Sequence, residues 1–184
     1  MVKLDTAEIK KGTILEVDWQ LFRVIDFSFM QMQQRQGSYT YKVRNLITWG
    51  VQNMTYKSWT LLEQADVSNM AAIYLYNSGT TYSFMENDSG EMHDLEADAI
   101  EEYIPYLKEN LDVYLTIYQG NVIWIVLPKT ITYTITETVP WLKGDRSTAG
   151  KKPATLETWL EVMVPLHKDA GQTVTVNTAT GEAS

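Results

Sequence analysis

Short runs in which apolar and polar residues alternate, each closed by a turn signal, dominate this chain and leave it little choice but antiparallel sheet. TILEVD (13–18), LFRVIDF (21–27), YTYKVRNL (39–46), AIYLY (72–76), TYSFM (81–85) and DVYLTIY (112–118) follow the pattern. So do NVIWIVLP (121–128), TITYTITETV (130–139), LEVMVPL (160–166) and QTVTVNT (172–178). Asn77-Ser78-Gly79, Asp88-Ser89-Gly90 and Gln119-Gly120-Asn121 are turn signals between them. One stretch, DLEADAIEEYIPYLKEN (94–110), reads as a helix, with Pro105 placed to kink or split it. Many short strands with a single helix point to small antiparallel barrels. Boundaries fall near Gln64-Ala65, where the charge balance changes, and at Pro128, which closes a strand, giving segments 1–64, 65–127 and 128–184.

Charge narrows the function. The net charge is −8, and residues 65–127 carry one Lys/Arg against eleven Asp/Glu. A protein that coats nucleic acid presents a basic surface, so any RNA here meets selected edges. The longest apolar run, VIWIVL (122–127), is too short to span a bilayer, and no membrane partner is expected. Acids occupy the N-terminal MVKLDTAEIKKG where a signal peptide has an apolar core, and the chain has no cysteine; both suit a cytoplasmic protein.

Enzymatic chemistry finds little support. His93 and His167 stand far apart without an HExxH spacing, so neither a metal site nor a cofactor is expected. The acids between Glu86 and Asp112 read as a solvated face, and Ser147 and Thr148 have no histidine nearby to activate them. Tyr74, Tyr76, Tyr82 and Phe84 alternate as the paired faces of strands. Two loops remain. FSFMQMQQRQGSYTY (27–41) reads as two strands joined by a polar tip, and KGDRSTAGKK (143–152) gathers Lys143, Arg146, Lys151 and Lys152 with two glycines and two hydroxyls, a composition able to hold phosphates.

AEIKKGTILEVD, YLYNSGTTYSFM, YLKEN and the C-terminal series KGD…KPATLET…V-x-VPL…G resemble the elongation factor P family, in register from about Ala7 to Glu182. The resemblance implies three β-barrels, an SH3-like (KOW-like) first domain followed by two OB-fold domains. It implies a cytoplasmic, monomeric, non-enzymatic factor that binds the ribosome and its rRNA between the P and E sites. Such a factor relieves stalling at consecutive prolines by positioning the P-site peptidyl-tRNA. The family's first-domain tip reaches the CCA end of that tRNA, and its third-domain loop approaches the small subunit. Carried over, the tip is Gln33, Gln34, Arg35, Gln36 and Gly37, and the third-domain RNA-contacting loop is Lys143, Gly144, Asp145, Arg146, Ser147, Thr148, Gly150 and Lys151.

The departures are specific. The family tip reads PGKG or PGR, whereas here Gln34 falls at the lysine position with Arg35 one place beyond, so Arg35 is expected to act unmodified. At five positions where the family has glycine this chain has Trp19, Trp49, Trp59, Trp141 and Trp159. Either these turns keep φ > 0, which costs a Cβ-bearing residue roughly 1–2 kcal/mol, or they relax to φ < 0 and the indoles cover apolar surface. An engineered scaffold that keeps the three-barrel fold with weak or no ribosome activity is the alternative function. A generic OB-fold nucleic-acid binder is disfavoured by the net charge.

Overall fold

The computed structural model describes residues 2–31, 36–140 and 150–184. Alternation becomes strand wherever one face can be buried. In β1 (Val2–Asp5), β2 (Ile14–Val17), β3 (Gln20–Met30), β4 (Ser38–Asn45), β5 (Val51–Lys57) and β6 (Leu61–Gln64), the order across the sheet is β1-β6-β2-β3-β4-β5. A second sheet is built from β7 (Ser68–Ser78), β8 (Thr81–Glu86), β9 (Met92–Glu96), β10 (Leu111–Tyr118) and β11 (Asn121–Val126), in the order β11-β10-β7-β8-β9. The third holds β12 (Thr130–Thr138), β13 (Lys151–Leu156), β14 (Glu161–Pro165) and β15 (Thr173–Asn177), in the order β14-β13-β12-β15. The sheets curl as parts of three small β-barrel domains.

Period two is visible in the burial. Tyr41, Val43 and Asn45 of β4 point inward while Lys42 faces water, and Ile131, Tyr133 and Ile135 of β12 alternate with threonines. Each such aliphatic or aromatic side chain contributes about 1.5–3 kcal/mol by leaving water.

The chain divides into two compact units, Met1–Met70 with Thr116–Trp124, and Ala71–Leu115 with Ile125–Ser184. In the first, Ile9, Leu15, Phe22, Val24, Tyr41, Val43 and Leu62 form the core. Trp124 is fully buried there, 6.5 Å from the Trp49 ring, with the Arg23 guanidinium 4.6 Å from its own. In the second, the Tyr133 hydroxyl donates to the Tyr106 carbonyl at 2.6 Å, and burial raises that phenol well above its usual range.

Two sequence expectations need correction. The helix over 94–110 is one α turn, α1 (Ala97–Ile100), continued as a 3-10 turn (Glu101–Tyr106). Asp94, Leu95 and Glu96 pair with Ser83, Tyr82 and Thr81 as part of β9, no side chain caps the α turn, and Pro105 has no N–H to extend a ladder. The second correction concerns strand content: β1, β5, β6, β9 and β13 lie outside the alternating runs and take their conformation from neighbours.

Candidate functional site

The polar tip stands on a β3–β4 finger paired without interruption from Asp26↔Lys42 to Met30↔Ser38. At its root a bulge between Val24 and Asp26 bends the strand. There Lys11 Nζ lies 2.8 Å from Asp26 Oδ1. That hydrogen bond first, then the Phe27 N–H, holds the Asp26 carboxyl below the usual carboxylate range.

An aromatic ladder stiffens the shaft. Phe29 and Tyr39 rings pack at 4.7 Å, Phe27 and Tyr41 at 6.3 Å, and Tyr39 stacks on Tyr41 at 6.1 Å. The Tyr41 hydroxyl donates to the Thr6 carbonyl inside the first barrel, and burial pushes that phenol up to about 12. Phe27, Phe29 and Met30 remain exposed on the shaft.

Of the expected tip residues, Gln33, Gln34 and Arg35 lie outside the described residues. Gln36 and Gly37 form the base instead. Gln36 donates through Nε2 to the Ser58 carbonyl at 2.8 Å, while the Gly37 carbonyl accepts from Ser58 N–H at 2.8 Å and from Ser58 Oγ at 2.9 Å. A Cβ on Gly37 would sit 2.6 Å from two carbons of the Phe29 ring, so in this position the ring lies directly over the glycine. Ser58 and Trp59 form the turn between β5 and β6, whose Trp59 N–H is held by the buried Thr6 hydroxyl at 3.2 Å. The base of the finger is therefore tied to the turn between β5 and β6.

The third-domain loop gives a second expected site. Lys143, Gly144, Asp145, Arg146, Ser147 and Thr148 lie outside the described residues, as does Trp141. Its stem is tied by the Thr138 hydroxyl, which donates to the Pro153 carbonyl at 2.8 Å. Gly150 enters β13 at φ 80°, and its carbonyl accepts from Leu166 N–H at 3.3 Å. Lys151 follows, paired with Pro165 and half-buried. Lys152, counted from sequence among the loop's cations, is buried with its Nζ 3.0 Å from Asp169 Oδ1. Such a charge is tolerated inside only because it is paired. Among the described residues of the loop, Lys151 is the cation that stays half-exposed.

Four of the five tryptophans keep the conformation of a glycine. Trp19, Trp49, Trp59 and Trp159 have φ of 62°, 59°, 71° and 66°. The left-handed alternative is the one realised, and the indoles of Trp19, Trp59 and Trp159 stand largely in water. A feature that the sequence spacing hid is the Glu86, Glu91, His93 cluster, whose donor atoms lie within 4.8 Å of one another. His93 Nε2 is 2.6 Å from Glu86 Oε1, and Ser89 Oγ donates to Glu86 Oε2; these two bonds, Ser89 first, hold the Glu86 carboxyl below its ordinary value. They close the β8–β9 turn.

These observations can be set beside known proteins. The solved structure of translation initiation factor 5A from Methanococcus jannaschii is similar over 68% of this chain and 94% of its own, with 13% identity and a TM-score of 0.50. A translation initiation factor 5A family protein from Naegleria fowleri matches over 68% of this chain and 98% of its own, at 12% identity and a TM-score of 0.41. At such identity the first likeness speaks for the fold alone. Family models are more specific: residues 5–59 match the elongation factor P KOW-like domain, 67–125 the elongation factor P OB domain and 131–182 the elongation factor P C-terminal domain. With all three domains matched in order along nearly its whole length, the chain is a translation factor and belongs to the elongation factor P family.

Proposed function

We propose that this chain binds the ribosome between the P and E sites and promotes peptide-bond formation at consecutive prolines by holding the end of the P-site peptidyl-tRNA. The observation that carries the reading is the β3–β4 finger, with its aromatic ladder and its base fixed to Ser58. A factor with no chemistry of its own accelerates a reaction by restricting the reactant's poses, and that demands a rigid support beneath the contacting tip. Arg35 is the working group of the tip, acting unmodified through a charge that can meet phosphate or stack on a base. From the third-domain loop, Arg146 and Lys151 contact rRNA. The domains divide as 1–64, 65–127 and 128–184, and the factor works as a cytoplasmic monomer.

The test is peptide synthesis on a Pro-Pro-Pro template with and without the chain. Rescue is expected, with most of it lost in Arg35→Ala and the ribosome affinity reduced in the Arg146→Ala, Lys151→Ala double variant. No rescue by the parent chain would end this reading. A second reading, a scaffold that keeps the three barrels with weak or no ribosome activity, is favoured by the tryptophans held at φ > 0. The same assay separates the two.

A further inference from the structure

A cavity of about 510 Å3 opens in the second unit, where the β7–β8 hairpin, the segment after the 3-10 turn and the turn between β13 and β14 meet. Its walls are aromatic. Tyr74 and Tyr82 are buried with rings 6.1 Å apart, whereas Tyr76 is 49% exposed and Trp159 83% exposed. The Trp159 turn is pinned: its N–H donates to the Leu156 carbonyl, and Leu156 N–H to the Leu160 carbonyl, each at 2.9 Å.

The charges around it are unbalanced. Glu109 and Glu157 line the cavity with a single cation, Lys108. That lysine is already committed, with Nζ 2.6 Å from the Thr132 carbonyl oxygen and 3.6 Å from Glu157 Oε1. Among the described residues, Glu109 has no such counter-charge. Burial, then Tyr82, then the charge of Glu109 raise the Tyr74 phenol, so this carboxylate acts on the aromatic wall. Thr158 also lines the cavity, and its Oγ1 is buried without a hydrogen-bond partner among the described residues.

We propose that this cavity seats an arginine side chain presented by a basic protein partner. A guanidinium is flat and stacks on indole and phenol faces, and its fork of donors suits the Glu109 carboxylate. A phosphate is rejected, because it would face two carboxylates and a lysine already paired. The eleven acids of residues 65–127, against one base, draw basic segments toward this part of the chain from a distance. The site does not use the finger, so its failure would leave the ribosome reading standing, and the reverse holds.

Titration of the isotope-labelled full chain with a capped arginine–glycine peptide tests it by NMR, read at the Trp159 indole N–H and the Glu109 amide. Saturable shifts at both are expected, weakened about three- to tenfold in Trp159→Gly and in Glu109→Gln. Trp159→Gly keeps its turn, because glycine suits φ 66°. The same peptide with citrulline, which keeps the shape and loses the charge, is expected not to bind, and Trp19→Gly is expected to bind like the parent. Equal binding of the citrulline peptide overturns the proposal. So do shifts scattered over residues 86–112 that never saturate at Trp159, or a uridine oligonucleotide that takes the site in preference to the arginine peptide.

Discussion

Two turns of the first unit share a backbone and differ in what they carry. Asp18-Trp19 joins β2 to β3 with φ of 50° and 62°, and Gln119-Gly120 joins β10 to β11 with φ of 49° and 81°. Both are two-residue hairpin connections with φ > 0 at both positions, the form whose twist matches the flanking strands. Where a Cβ would be added to Gly120 there is open space, and the Trp19 indole is 89% exposed. Crowding therefore does not separate them. The difference is backbone energy, and it teaches that strands closed as tightly as Val17↔Gln20 set the turn whatever side chain occupies it.

The largest expected effect comes from carrying the glycine solution to the exposed tryptophans. The triple variant Trp19→Gly, Trp59→Gly, Trp159→Gly should be more stable by about 3 kcal/mol, near 1 kcal/mol per turn after the extra entropy of unfolded glycine is counted. Denaturant unfolding checks it, and an unchanged midpoint would mean that the three turns carry no strain. Trp49 is left out because its ring packs near Trp124 and would leave a gap.

Gly37 differs from both turns, since what it provides is space for the Phe29 ring and not a left-handed φ. Gly37→Ala should push the half-exposed Phe29 ring outward and destabilise the protein by about 1 kcal/mol or less. Loss of hydrogen-exchange protection at Ser58 N–H, whose acceptor is the Gly37 carbonyl, would report it locally. The converse of the first experiment is Gly120→Trp, which should cost about 1 kcal/mol through φ alone. A cost well above that would show that the indole, and not the backbone, decides.

The smallest effect belongs to the β8–β9 turn, which side chains hold. The depressed Glu86 carboxyl makes a contribution that is fully present above about pH 4.5 and is lost as pH falls through its folded value. Glu86→Gln should flatten the pH dependence of stability in that acid range, and Ser89→Ala should flatten part of it. An acid limb identical to the parent's would remove Glu86 from the account.

Legibility followed locality. β3 and β4 could be read because both faces of the finger alternate in sequence, and the turn at Trp19 because the family has glycine there. The helix over 94–110 misled because Asp94 to Glu96 are claimed by pairing with β8, a tertiary decision that no local period records. Lys152 read as a loop cation because its partner Asp169 lies in a later turn. Gly37 was legible as part of the tip, but its reason is a ring from the opposite strand. The cavity beside Trp159 joins residues from three separated stretches, so no spacing announces it.

The pairing of β1 with β6 also sets an order of assembly. Val2 meets Gln64 and Asp5 meets Leu61, so the strand made first by the ribosome docks on the last strand of its sheet. During synthesis β2 through β5 can zip as successive hairpins, while Val2–Asp5 waits with its edge unpaired until residue 64 has emerged. Closing so long a loop is slow relative to the hairpins, and the nascent sheet spends that interval open on the β2 side. A translational pause placed just before Leu61 would lengthen that exposure, and one placed after Gln64 has cleared the exit tunnel would not.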